Sequence, residues 1–508
     1  MIQARWLIIF FAVLGMSVPS FAIDWSLGGF PSYMRTRVRV IDNATAVNNG
    51  DPISLVDTTL RITPQLGLSD AVTVRAQVDV ASNMVWGGVT SGFFGAEGDS
   101  VVLSDLRPSD RFRGAILTGH KVDVGDNTAV DEGFGFFNVR MLHADIVLPN
   151  DLGFVRIGRQ PFDWGLGILA NGGHDPHSDL GFVVDRALWL KSFPAGAGTF
   201  TLVLVSDVFS NGATLFAGES GVGYDILAAA GIYNQQMGDV NVTVGAYGFP
   251  YLHQNNIFSQ GGASGWDVDR TSLYAGMLVL KGASWSLTYE VQMFGGGELD
   301  TPLGADGANF PLDLEYAFDM AGRLEFHPSM MAQVSTIGLE GGWAQGDDGT
   351  TPEIEGNALP FSPAYNVDNL LFKHVIPTIY NIEGSVINAI YARAYANMQL
   401  ADNLGFTPQV LFAWNDQTNA VSAFDSGGFG SGIANTEVDK YLGTEIEGTL
   451  SWTLHPGVNL DFIGSLVLAG DGLTDLLQAQ AGEGASAVND TIWAYQTRLM
   501  VYIDQFMK

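Results

Sequence analysis

Residues 33–41 read YMRTRVRVI, with an arginine at every second position. A β-strand turns successive side chains to opposite faces. Arg35, Arg37 and Arg39 therefore share one face, and Thr36, Val38 and Val40 the other. The same period returns along the chain. In TLRITPQL (59–66), Arg61, Thr63 and Gln65 alternate with Leu60, Ile62 and Leu66. In VTVRAQVDV (72–80), Thr73, Arg75, Gln77 and Asp79 alternate with valines and an alanine. WSLTYEVQM (285–293), YARAYANMQL (391–400), GTEIEGTLSW (443–452) and YQTRLMVYID (495–504) repeat it.

The composition says what lies on the apolar side. Only 15% of residues are charged, against roughly 25% in soluble domains. The chain has 63 glycines and 31 phenylalanines, and its mean hydropathy is +0.17. Yet past the N-terminal segment no apolar run reaches the ~18 residues of a membrane helix. A transmembrane β-barrel meets both conditions, because lipid-facing and lumen-facing residues alternate. The competing fold is a soluble β-helix or sandwich whose polar face is simply solvated.

Connection lengths favour the barrel. Short turns read GLSDA (67–71), LPNDLG (148–153), FPAGAG (193–198), QMGDV (236–240), KGAS (281–284), HPSM (327–330), LADNLG (400–405) and HPGV (455–458). The connections between them are long and rich in Gly, Asp, Asn and Ser. Eight turns and nine strand pairs predict an all-β, antiparallel transmembrane barrel of about 18 strands. Short turns and both termini would face the periplasm, and nine long loops would face outward. Barrels of that size usually keep an aqueous lumen, so channel water is expected behind the arginines.

The first 22 residues read as a signal peptide: Arg5, an apolar run from Trp6 to Val18, and small residues Ser20 and Ala22 before the cut. Residues 23–508 form a single expected barrel domain in the outer membrane of a Gram-negative bacterium. About ten residues precede the first strand, too few for the plug of a TonB-type gated receptor. The chain has no cysteine, which excludes disulfides, thiolate metal sites and a lipid-anchored form. A formal charge of −31 argues against nucleic acid as a partner. Expected partners are outer-membrane lipid and lipopolysaccharide, the barrel-insertion machinery and small hydrophilic solutes. Assembly as a homotrimer is left open.

Charge is distributed unevenly. Twelve of 17 arginines lie between Arg35 and Arg186. Arg35, Arg37, Arg39, Arg61, Arg75, Arg140 and Arg156 take lumen positions on early strands, and Arg498 on the last strand joins them on closure. Later strands place Glu290, Asp319, Glu325, Glu340, Glu445, Glu447 and Asp461 at lumen parity, with only Arg323 and Arg393 among them. Opposed walls of this kind would set a field across a wet constriction and filter solutes by charge. Alternatively, the arginines pair with nearby carboxylates such as Asp79 and stiffen the wall. Bulges near His143 and Asp145 would shift parity there.

Two connections exceed a simple cap. Residues 87–133 include Arg107, Arg111 and Arg113. Residues 351–384 carry an apolar stretch, Leu370, Leu371, Phe372, Val375 and Ile376, which is costly in water unless it tucks against the wall or another loop. The second is the expected constriction, with a helical turn at 368–374 and Asn369, Leu370, Phe372, Lys373 and His374 as its candidate residues. RIGRQPFDWGLGILANGG (156–173) reads as a strand that breaks at Pro161 into a shaped loop, with Phe162 and Trp164 in the outer aromatic girdle. His174, Asp175 and His177 in GGHDPHSD offer ligand types found at metal sites. Acidic loops 298–313 and 346–356 could hold Ca²⁺, but no EF-hand pattern supports it. No metal site and no cofactor are expected.

GRQPFDWGLGILANGG (158–173), with SPAYNVDNLLF (362–372), resembles an uncharacterised, porin-like family of Gram-negative outer-membrane β-barrels. RIGRQ also resembles the strand motif of alginate-export-type barrels. That second resemblance implies 18 strands and an arginine-rich pore for anionic polysaccharide. The chain departs from the export type in its many lumen carboxylates, and from most such barrels in ending Phe506-Met507-Lys508.

Catalysis is not expected. There is no GxSxG elbow and no His-Glu-x-x-His motif among the eight histidines. The expected function is passive diffusion of small hydrophilic solutes through a charge-lined lumen. The alternatives are an export conduit for an anionic polysaccharide or surface component, and a structural or adhesive barrel.

Overall fold

Backbone hydrogen bonding closes the alternating segments into one antiparallel barrel of 18 strands. The structure is a computed structural model. It describes residues 24–27, 30–42, 53–85, 138–178, 181–210, 223–254, 267–301, 310–314, 316–329, 331, 333–346, 360–362, 364–380, 385–420, 436–481 and 490–506. The leader segment and loop 87–133 with its three arginines lie outside the described residues.

The strands are β1 (Tyr33–Ile41), β2 (Ile53–Ile62, continued by Pro64–Ser69), β3 (Val72–Val85), β4 (Asn138–Val147), β5 (Phe154–Pro161) and β6 (Val183–Ala195). Next come β7 (Gly198–Ser210), β8 (Gly223–Met237), β9 (Val240–Gln254), β10 (Asp267–Lys281) and β11 (Trp285–Gly295, continued by Gly297–Thr301). The circuit ends with β12 (Phe310–Leu314 and Ala317–Phe326), β13 (Val334–Ala344), β14 (Ala389–Ala401), β15 (Leu404–Asn415), β16 (Tyr441–His455), β17 (Val458–Ala469) and β18 (Thr491–Tyr502). Each pairs with its sequence neighbour. The seam closes at β1, where Arg37 faces Asp57 on β2 and Arg498 on β18. A further short strand, Asp24–Leu27, pairs with the second half of β2.

All eight turn sequences fall at one rim, between β2 and β3, β4 and β5, and so on to β16 and β17. Gly196 and Gly238 sit at positive φ in two of them, 60° and 59°, which a side chain would resist. The acidic stretch 298–313, expected as a loop, instead carries strand at both ends: β11 runs to Thr301, and β12 begins at Phe310. Pairing overrides the polar composition there, because Glu298, Leu299 and Asp300 face Asp313, Leu312 and Pro311 in register.

The two faces of the sheet invert the order of a soluble protein. Val38, Leu142, Ile157, Leu204, Leu227, Val244, Phe318, Leu339, Phe412, Ile446 and Leu468 are exposed on the outside. Arg35, Arg37, Arg61, Asp79, Arg140, Glu290, Glu340, Glu445 and Asp461 are buried on the inside. A closed barrel leaves no unpaired edge, so it is one of the few folds that can carry such a belt through hydrocarbon.

The interior is not simply open. The β5–β6 connection (described over 162–178 and 181–182) and the β13–β14 connection (described over 345–346, 360–362, 364–380 and 385–388) fold inward. The second contains a one-turn π-helix, Leu371–Val375, running into α1 (Ile376–Tyr380). A further helix, α2 (Asp471–Ala481), opens the β17–β18 connection. Phe361, Leu370, Leu371, Phe372, Val375 and Ile379 pack with Leu473, Leu476 and Leu477 of α2, and with Ala389, Leu411 and Ala413 of the wall. This hidden core accounts for the apolar loop: it tucks against both the wall and a neighbouring connection, so its side chains leave water.

Candidate functional site in the barrel interior

The arginine face of β1 is built as a ladder of ion pairs. Arg37 Nε and Arg39 Nε each donate to Asp57 of β2 at 2.9 Å. Arg61 donates to Asp79 of β3 at 2.6 Å, the pairing anticipated from sequence. Arg75 and Arg156 share Asp145, at 3.2 and 2.6 Å. Arg498 donates to Asp461 at 2.9 Å. An arginine buried without such a partner would be too costly to keep. Period two places Asp57 on the face of Arg61, so extending the TLRITPQL strand two residues upstream reveals it. Arg186 with Asp207, and Arg159 with Asp185, add two pairs that sequence reading passed over.

A bulge resolves the parity question on β4. Register shifts between Gln77 and Val78, opposite Met141 and Val139. Arg140 and its neighbour Met141 are consequently both buried, and His143 and Asp145 follow on the inner face. Bulges add one residue and swap the faces beyond them.

Arginines also hold the first infolded connection. Arg35 donates to Pro176 O at 2.9 Å, Arg61 to Gly173 O at 3.3 Å, and Arg140 to Gly172 O at 3.0 Å. The far end of the same connection reaches Glu290 on β11. Glu290 accepts the amides of Gly167 (2.8 Å), Ile168 (3.2 Å) and Leu169 (2.9 Å). Gly165 is required at this contact: its φ is +52°, and a Cβ there would stand 2.6 Å from Glu290 Oε2. Trp164 is buried against Tyr247 and the inward-facing Val205, Ala228 and Ala230. Phe162 packs on Tyr247 beside it. Neither belongs to an outer girdle, because the chain turns inward after Pro161 instead of continuing to the interface. His174 bonds to Asp163 at 2.8 Å and stacks on Phe30, while Asp175 caps the amide of His177.

Glu340 and Glu445 among the acidic residues of later strands hold the second infolded connection. Glu340 is a hub: it takes Tyr365 Oη at 2.6 Å, Tyr391 Oη at 3.0 Å and the guanidinium groups of Arg323 and Arg393. Arg393 also donates to Val367 O at 2.7 Å. Glu445 accepts the amide of Leu371 at 2.8 Å. Asp319 takes Gln292 Nε2 and the Gln345 amide, and Glu325 takes Tyr395 Oη. Glu447 stands two residues from Glu445 on the same face of β16.

The two connections meet inside the barrel, where Ser362 N donates to Ile168 O at 2.7 Å. A narrow cleft remains beside the second one. It is lined in part by Arg39, Asn369, Lys373, His374, Ser465 and Gln496. Candidate constriction residues and an arginine of the opposite sequence half thus come together, while Leu370 and Phe372 turn into the apolar core.

No protein-family model and no curated protein matches the chain. Solved structures match over nearly the full length. OccK2 (OpdF) of Pseudomonas aeruginosa, crystallised with glucuronate, is 10% identical with a TM-score of 0.46, covering 93% of this chain and 98% of its own. OccAB1 of Acinetobacter baumannii is 12% identical with a TM-score of 0.44, covering 93% and 95%. The outer membrane channel DcaP of Acinetobacter baumannii is 10% identical with a TM-score of 0.39, covering 95% and 99%.

Proposed function

We propose that the chain is an outer-membrane channel through which small hydrophilic solutes diffuse passively. The observation that carries this reading is the polar interior of an 18-stranded barrel whose exterior is apolar. A barrel serving only as a scaffold has no need of so many buried charges, each of which is costly to desolvate. The cleft beside Arg39, Asn369, Lys373 and His374 supports a narrow, polar passage along the second infolded connection. Arg35, Arg37, Arg39, Arg61, Arg75, Arg140, Arg156 and Arg498 form its cationic side. Glu290, Asp319, Glu325, Glu340, Glu445, Glu447 and Asp461 form its acidic side. Among them Arg35, Arg61, Arg140, Glu290, Glu340 and Glu445 hold the infolded connections in place, so the width of the passage follows from loop seating as much as from wall charge.

Liposome swelling tests the reading. Purified barrel in liposomes should admit neutral solutes of monosaccharide size and exclude large oligosaccharides. Absence of uptake by well-folded, heat-modifiable protein would sink it.

A further inference from the structure

Asp368, Glu445 and Glu447 gather at the start of the infolded π-turn. Glu445 Oε2 accepts the amide of Leu371 at 2.8 Å, and Asp368 Oδ2 accepts the next amide, Phe372, at 2.9 Å. Two carboxylates that bind consecutive amides are near neighbours. Glu447 shares the inward face of β16 with Glu445 and lies within electrostatic reach of Asp368. Glu445 is 0% exposed, and its second oxygen, Oε1, has no hydrogen-bond partner; Oε2 of Glu447 is likewise buried without one. The charged groups facing this cluster are Lys373 on the π-turn and Arg393 on β14. Arg393 already serves Val367 O and Glu340. Three crowded carboxylates with two undonated oxygens are unfavourable as anions. A proton turns one of them into a donor and gives a neighbouring oxygen its missing bond.

We propose that Asp368, Glu445 and Glu447 form a proton-binding lock that seats the second infolded connection in acid and loosens it as the medium turns alkaline. It rests on the reading of the interior as the passage and adds its regulation. The sign follows from linkage. Burial pushes the Asp368 carboxyl up to about 6 in the seated loop. A carboxyl raised by seating binds its proton more tightly there than when released. The added stability is full below the ordinary carboxylate range of about 4 and is lost as pH rises through about 6.

The chain has no cysteine, so paired spin labels report loop position cleanly. One label goes on α1 (Thr378→Cys) and one on the β14–β15 turn (Asp402→Cys). Electron–electron distances are measured on the full-length barrel in liposomes at pH 5 and pH 8. The expected result is one narrow distance at pH 5, and a second population at pH 8. Glu445→Gln and Glu447→Gln, each measured separately, should keep the narrow distance at both values. An unchanged wild-type distribution, or a pH response retained in both glutamine variants, overturns the lock. A pH-dependent distance in a barrel that admits no solute would support the lock and sink the passage instead.

Discussion

The two infolded connections are held by opposite chemistry at one segment each, although Glu290 also grips amides 167–169 of the first and Arg393 a carbonyl of the second. Residues 172–176 hang from arginines that donate to backbone carbonyls. In residues 368–373 carboxylates accept backbone amides, Glu445 of the wall that of Leu371 and the segment's own Asp368 that of Phe372. Guanidinium stays charged at any physiological pH, so the grip on 172–176 is constant. Carboxylates crowded and buried together can change state, so the second is adjustable. The uneven spread of arginines and acids along the sequence thus has a mechanical meaning. It sets a constant grip at 172–176 beside a titratable one at 368–373, and the two connections touch at Ile168 and Ser362.

The sharpest way to break the contrast is at Glu340. Glu340→Ala strands Arg323 and Arg393 in the interior and frees Tyr365 from the wall. Removing one partner of a buried ion pair costs about 3–5 kcal/mol. Thermal unfolding, followed by heat modifiability on gels, should show that loss. Glu290→Ala acts on the other connection and leaves the amides of Ile168 and Leu169 without an acceptor, while Gly167 keeps its bond to Trp164 O. Each unsatisfied buried amide costs about 1–3 kcal/mol, less where water replaces the carboxylate. Hydrogen exchange at residues 168 and 169 should rise while residues 370–375 keep their protection.

A smaller effect is expected from Gly165→Ala, which combines a left-handed backbone with a clash against Glu290. The backbone term alone is about 1–2 kcal/mol, seen as faster exchange over the same two amides. Arg35→Ser removes the contacts to Pro176 O, Ser178 O and Thr59 Oγ1, each worth about 1 kcal/mol. Its clearer signature is electrical: the reversal potential in a salt gradient should move toward cation selectivity. A shift toward anions would contradict the assignment of Arg35 to the cationic side.

Strand faces were legible in the sequence because periodicity is local. Each of YMRTRVRVI, TLRITPQL and VTVRAQVDV shows which of its residues point inward, and the eight turns show where the chain reverses. Partners were less legible because they are distant. Arg35 meets Pro176 across 141 residues, and Glu290 meets Gly167 across 123. Nothing local in WGLGILANGG says that its glycines make room for a glutamate from β11. The apolar run at 370–376 was readable as something that must hide, since water penalises it. That α2 would share its core was not, because DGLTDLLQAQA reads equally well as an exposed loop helix. Trp164 misled for a related reason: aromatics near a strand end suit a girdle, and only tertiary packing turned this one inward.

The central claim is that infolded connections, not the 18-stranded wall, limit the passage. The second connection has a natural neck, where Phe361 bonds to Ser385 and Val386 through the backbone. Residues 362–384 can therefore be replaced by a short Gly/Ser linker with little disturbance to β13 and β14. Single-channel conductance in planar bilayers would then be compared with that of the full chain. We predict a several-fold larger conductance in the excised variant. Equal conductance in two well-folded barrels would contradict the claim.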